Sequence, residues 1–88
     1  MPDLAELILA MTAARGRDRS ICPSEVARRA AADGDSRALM PDVRAAAAGL
    51  AAEGRIRVTQ RGRSVDPLAA HGPIRLSRVV SDPSRRRS

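Results

Sequence analysis

Apolar residues recur at helical spacing through the first part of the chain, and after Gly54 the pattern changes to strict alternation. Leu4, Leu7, Ile8 and Met11 fall on one face of residues 3–14, with Glu6 outside, which predicts a first helix. Pro2 and Asp3 suit its start, and Gly16 follows the last periodic residue as a terminating glycine does. Leu9 lies off the main stripe, so this helix is either buried on two sides or offers a seam to a second copy of the chain. Ile21 predicts a short edge strand. In ICPSEVARRAAA, Pro23 takes the favoured first helical position, and Glu25 lies in the first turn, where its charge suits the helix dipole. Cys22 is then the N-cap, or Ser24 is if the helix starts later. Val26, Ala27 and Ala30 face inward, Arg28 and Arg29 outward, and Asp33-Gly34-Asp35 ends this second helix.

A third helix is predicted within residues 36–53, with Pro41 near its start. Leu39, Val43, Ala46 or Ala47, and Leu50 repeat as one buried face. Gly49 inside it costs about 1 kcal/mol relative to Ala and is expected to mark close backbone packing. From Arg55 the period is two. Arg55, Arg57 and Thr59 alternate with Ile56, Val58 and Gln60 as a half-buried strand. Arg61-Gly62-Arg63 turns the chain, residues 64–72 form a loop, and residues 74–79 alternate again as the returning strand. The expected inward set is Leu4, Ile8, Met11, Val26, Leu39, Val43, Leu50, Ile56, Val58, Ile74 and Leu76. Residues 81–88 hold no large apolar residue and are expected to be a disordered basic tail on a domain of residues 1–80. Helix, short strand, helix, helix and hairpin is the order of a winged helix. The expected fold is therefore α+β, three helices followed by a two- to three-stranded β-wing.

Several motifs in that order also carry a resemblance. ICPSEVARR, then LMPDVRAAAAGLAAEGRIRVTQRG, then VDP and GPIRL, resemble a small bacterial family of unknown function assigned a winged-helix fold. The likeness runs from about Leu4 to Leu76. It implies the fold and carries no activity with it. The chain lacks the Trp that the resemblance leads one to expect near Ser36.

Composition narrows the core and the compartment. The chain has 88 residues, one domain's length, and contains no Phe, Tyr or Trp. Seventeen Ala and the aliphatic residues must build the whole core, which favours close packing of slim helices. A single cysteine excludes an internal disulfide and fits a reducing, cytoplasmic setting. No stretch approaches the roughly 18 apolar residues of a membrane span.

Charge changes the picture most. Residues 1–54 hold seven Arg against eight acidic residues, net −1, whereas residues 55–88 hold nine Arg against two, net +7. A cationic third on a nearly neutral body points to a polyanion, nucleic acid or a membrane surface. The basic third is strand and tail rather than an amphipathic helix, which disfavours the membrane.

Candidate chemistry is sparse. One His and one Cys, His71 and Cys22, fall short of the four N or S ligands of a zinc site. No Gly-rich phosphate loop is present. His71 reads as a solvated loop residue and Cys22 as a capping or core residue, so no catalytic, cofactor or metal residues are expected. The third helix offers Arg37 and Arg44 on roughly one side, and Arg44 is a candidate for guanine readout. The wing offers more: Arg55 and Arg57 lead into Arg61-Gly62-Arg63, whose glycine lets two guanidinium groups approach a narrow groove. Without aromatics there is no stacking platform for single strands. The expectation is a non-enzymatic protein binding double-stranded DNA through Arg37, Arg44, Arg55, Arg57, Arg61, Gly62 and Arg63. The alternative is a protein-interaction module, in which the Ala-rich third helix admits a partner helix and the first helix a second copy.

Overall fold

Helix starts in this chain are set by side chains that bind otherwise orphaned backbone N–H groups. The computed structural model describes residues 3–16, 19–31 and 34–79. Helix α1 spans Leu4–Arg15, and Asp3 caps it by accepting from the N–H groups of Ala5 and Glu6. Strand β1 is Ser20–Ile21 and helix α2 is Pro23–Ala31. Cys22 holds the N-cap position of α2, as one of the two expected alternatives. Its N–H donates to Glu25 Oε2 at 2.8 Å, the return half of a capping box, while the Glu25 N–H makes the first-turn backbone bond to the Cys22 carbonyl at 2.9 Å.

Helix α3, Ser36–Ala52, is capped by Asp35, which accepts from the Arg37 N–H. Pro41 lies inside it, beyond the first turn. Gly54 ends it at φ 74°, a left-handed conformation open to glycine, and the Arg55 N–H reaches back to the Leu50 carbonyl at 2.9 Å. Gly49 departs from expectation. It is exposed on α3, and a Cβ there would meet nothing within 4 Å, so no packed backbone explains it.

Four antiparallel strands follow the order β1-β4-β2-β3, where β2 is Ile56–Gln60, β3 is Arg63–Ser64 and β4 is Arg75–Arg78. This is an α+β fold consistent with a winged-helix-like arrangement. The expected two-stranded hairpin with a long tip is corrected. Gln60 pairs with Arg63 across a two-residue turn, Arg61-Gly62, and the long connection lies after β3. Both turn residues have positive φ, 54° and 82°, as in a type I′ turn, whose twist matches that of the flanking strands. The tight turn puts β3 on one edge of β2 and leaves the other edge to β4, which registers Val58 opposite Leu76 and Arg57 opposite Ser77.

Ile8, Ile21, Val26, Ala27, Val43, Ala47, Leu50, Ile56, Val58, Ile74 and Leu76 form the buried core. Leu4, Met11 and Leu39, expected inside, only pack against its margin. Ile21, Ala27 and Ala47 are fully covered in addition. Ile21 is inside because β1 pairs with β4 opposite Leu76, so both side chains share the face turned to the helices. Thr12, the buried polar residue among those described, satisfies its hydroxyl on the Ile8 and Leu9 carbonyls. The expectations for Pro2, Asp33 and residues 81–88 fall outside the described residues.

Candidate nucleic-acid interface

The expected site residues separate into three groups. Arg57, Arg61, Gly62 and Arg63 belong to one element, the β2–β3 hairpin, Arg55 lies in the bend just before it, and all five are exposed. Among the described residues, the side chains of Arg57, Arg61 and Arg63 make no hydrogen bond or ion pair, and Arg55 makes one long pair with Glu53 at 3.6 Å on the surface. An exposed pair of that length holds neither side chain firmly. Register divides these arginines. Arg57 pairs with Ser77 on the face of the sheet away from the helices, whereas Arg63 pairs with Gln60, which alternates with Ile56 and Val58 on the other face.

Arg37 is the second group. It is exposed in the first turn of α3, two helical turns before Arg44.

Arg44, the third, is turned into the fold. Its Nη1 donates to the carbonyl oxygens of Pro67 at 2.9 Å and Ala70 at 3.0 Å, and its Nη2 to that of Gly72 at 2.8 Å. The reason lies in the connection between β3 and β4. Asp66 closes a turn there, accepting from the Leu68, Ala69 and Ala70 N–H groups, and the carbonyls that follow need donors. Arg44 supplies them from α3, and Gln60 Nε2 supplies the His71 and Pro73 carbonyls at 2.6 and 3.1 Å from β2. With its terminal nitrogens so engaged, Arg44 is a poor candidate for reading a base edge.

Beyond Arg37, the exposed stripe of α3 is Ala38, Pro41, Asp42, Ala45, Gly49 and Ala52, ending at Glu53. It carries no donor side chain and two carboxylates. That surface opposes a phosphate backbone. Among the described residues, the sheet and its turn carry the exposed Arg57, Arg61, Arg63, Arg75 and Arg78.

Gln60 and Arg75 were not among the residues expected to matter. Arg75 stands opposite Thr59 on the outer face, and its guanidinium donates to Ser20 Oγ at 2.8 Å and to the Ser20 carbonyl at 3.1 Å. Its signal in the sequence is parity: in the alternating run 74–79 it takes the polar phase, as Arg57 does in the strand before. Gln60 carries no such signal, because its partners are loop carbonyls that only the fold brings near.

At the other end of the sheet, Arg15 joins Glu25 at 2.7 Å and also donates to the Ser20 carbonyl at 3.0 Å. The Cys22 N–H, and beside it the Arg15 guanidinium, hold the Glu25 carboxyl below its ordinary value. Burial pushes the Cys22 thiol up, but hydrogen bonds from Ser24 and the Arg75 charge outweigh it and leave the thiol below its usual range. Among the described residues no group of three or more His, Cys, Asp and Glu side chains is placed to hold a metal ion.

Three helices against a four-stranded antiparallel sheet, with a basic hairpin turn at its edge, define a small α+β domain of winged-helix-like arrangement. The chain belongs to the family described as Protein of unknown function (DUF3253), whose profile matches residues 2–79. No curated protein matches the chain. No helix among the described residues is long and apolar enough to cross a membrane.

Proposed function

We propose that this chain is a non-enzymatic, cytoplasmic winged-helix protein that binds double-stranded DNA through its basic wing, with modest sequence specificity. The observation that supports this reading is the hairpin of β2 and β3. Arg57, Arg61 and Arg63 stand exposed around a rigid two-residue turn with no carboxylate bound to any of them among the described residues. Uncompensated arginines on an ordered hairpin attract a polyanion and release its counterions on contact. Gly62 adds a place where backbone approaches a groove closely. α3 contributes little to this mode, since Arg44 is engaged by the loop and the exposed stripe beside it is uncharged or acidic. Contacts to phosphate position a protein without reading sequence, hence the modest specificity. Fluorescence anisotropy with a mixed-sequence duplex at several salt concentrations tests the proposal. Salt-sensitive binding supports it, and absence of binding at low salt overturns it.

A second reading, a protein-interaction module, is favoured by the same α3 stripe. Ala38, Ala45, Gly49 and Ala52 leave space for a partner helix to pack closely, and Gly49 faces open space. In this reading a second copy meets α1, where Leu7, Ala10, Met11 and Ala14 line a surface groove rimmed by Arg15, Arg19 and Arg29. Sedimentation at increasing protein concentration separates the two. Self-association that persists after Arg61 and Arg63 are both replaced by Ala supports the interaction module.

A further inference from the structure

We propose that the cleft between the hairpin turn and the segment leading into β4 seats a phosphate group, and that in the duplex-binding reading, on which this rests, the group is a backbone phosphodiester. Gln60, Arg61, His71, Gly72, Pro73 and Arg75 line the cleft. Two of the six are arginines and none is acidic.

The hydrogen bonding of the far wall is the first argument. Carbonyl oxygens facing a cleft repel an anion, yet those of His71, Gly72 and Pro73 all accept hydrogen bonds from elsewhere. Gln60 Nε2 serves His71 and Pro73, and Arg44 Nη2 serves Gly72. Three successive acceptors thereby each hold a donor, which reduces their repulsion of an anion. The same bonds fix the wall in place, so an anion does not have to order it.

The second argument is backbone strain. Arg61 holds φ 54°, in the left-handed region. That conformation costs a side chain-bearing residue roughly 1–2 kcal/mol, and Asn or Gly is at ease there. A strained arginine at the mouth of the cleft, where an unstrained residue fits the turn better, marks a side chain kept for its charge. Arg75 supplies the opposite wall. Its Nε and Nη2 are held by Ser20, which fixes the guanidinium on the sheet beside the cleft. A phosphate in the cleft takes charge-assisted hydrogen bonds from Arg61 and is held in the field of the anchored Arg75 charge. Beyond the cleft, Arg57 stands opposite Ser77 on the outer face, in position for a neighbouring phosphate.

The test uses the isotopically labelled full chain and two probes, sodium pyrophosphate at constant ionic strength and a mixed-sequence duplex. Pyrophosphate should shift the amide resonances of Gly62, Gly72 and Arg75 saturably, and Arg61→Gln or Arg75→Gln should abolish the shifts. Arg28→Gln, on the exposed face of α2, should leave them unchanged. Arg61→Gln should also weaken duplex binding on the order of 10-fold, the loss of one charge-assisted contact. Arg75→Gln releases Ser20 as well, so Arg61→Gln carries the test if that variant unfolds by circular dichroism. Pyrophosphate at the cleft without duplex binding removes the DNA reading and keeps the phosphate site. Duplex binding indifferent to Arg61→Gln, with the cleft amides silent, overturns the site and keeps the DNA reading. Silence toward both probes overturns both.

Discussion

The Nη1 atom of Arg44 lies 2.9 Å from the carbonyl oxygen of Pro67, a residue 23 positions further along the chain. Together with the bonds to Ala70 and Gly72, this contact fastens the β3–β4 connection to α3. Arg44→Ala should therefore destabilise the fold by about 1–3 kcal/mol, the scale of lost hydrogen bonds to a charged donor. Hydrogen exchange should quicken first at Ala69 and Ala70, whose amides close the Asp66 turn. Arg44→Lys should recover only part of the loss, because an ammonium cannot span three carbonyls as a planar fork does. Were Arg44 instead a groove-reading residue, its replacement would lower duplex affinity at an unchanged melting temperature.

Arg44 also shows where sequence reading reaches its limit. Periodicity places it correctly on the outward side of a helix, and a basic residue there resembles a DNA contact. What covers that side is a loop with no periodicity of its own, so nothing along the chain announces that its carbonyls need a donor. Helix boundaries were legible to within a residue or two because Asp3, Asp35, Pro23 and Gly54 act locally. The change of period at Gly54 marked the sheet. Strand β3 was not legible: it is two residues long, and only the positive φ angles of Arg61 and Gly62 turn the chain tightly enough to pair it. The wing arginines are singled out by charge, which survives any error in register. That Arg75 lines the same cleft as Arg61 is not legible, because it depends on the course of the loop between them.

Ile21 carries more of the fold than a two-residue strand suggests. It is fully buried against the sheet opposite Leu76. Ile21→Ala should cost about 2–5 kcal/mol through lost transfer energy and an unfilled cavity, and Val43→Ala about 1–3 kcal/mol. In a domain of this size the larger loss is a substantial fraction of total stability. Chemical denaturation should show a lowered midpoint for both variants, and an unchanged midpoint for Ile21→Ala would refute its burial.

Glu25 links stability to pH. Its carboxyl is held below its ordinary value by the Cys22 N–H and by Arg15, so the unfolded chain binds its proton more readily than the folded one. Folding stability from this group is thus fully present above the ordinary carboxylate value, about 4.3, and is lost as pH falls through the lowered one. Glu25→Gln should lower the melting temperature at neutral pH and flatten its fall on acidification below about pH 5. The cap itself is worth roughly 0.5–2 kcal/mol. Parallel melting curves of variant and parent down to pH 3 would show that Glu25 contributes nothing.

Arg61 sets stability against binding. Arg61→Asn should relieve the left-handed strain and raise stability by about 0.5–1 kcal/mol, while removing a charge from the cleft and weakening duplex affinity. Gly62→Val, at φ 82°, should do the reverse to the fold, costing about 1–2 kcal/mol. Paired melting and anisotropy measurements decide it. If Arg61→Asn lowers both stability and affinity, the turn is not strained as its backbone angles indicate.

The salt dependence of binding follows from which arginines are available. Arg55, Arg57, Arg61 and Arg63 are exposed on the hairpin or in the bend just before it, whereas Arg44 is engaged by the loop, so about four phosphates are neutralised in the wing mode. At a slope near −0.9 per contact, raising salt from about 50 to 200 mM should weaken duplex binding on the order of 100-fold. Replacing Arg61 and Arg63 together with Ala should reduce the slope by about 2. Arg63 lies on the inner face of the sheet by its pairing with Gln60, so a duplex that meets only the outer face would lose about 1 instead. An A·T-rich duplex should suffer most if the turn enters a narrow minor groove, whose potential favours guanidinium groups. Arg44→Ala should leave the slope unchanged once its effect on folding is allowed for. Binding that survives high salt, or a slope that ignores the wing pair and responds to Arg44, would return the contact to α3 and overturn the wing mechanism.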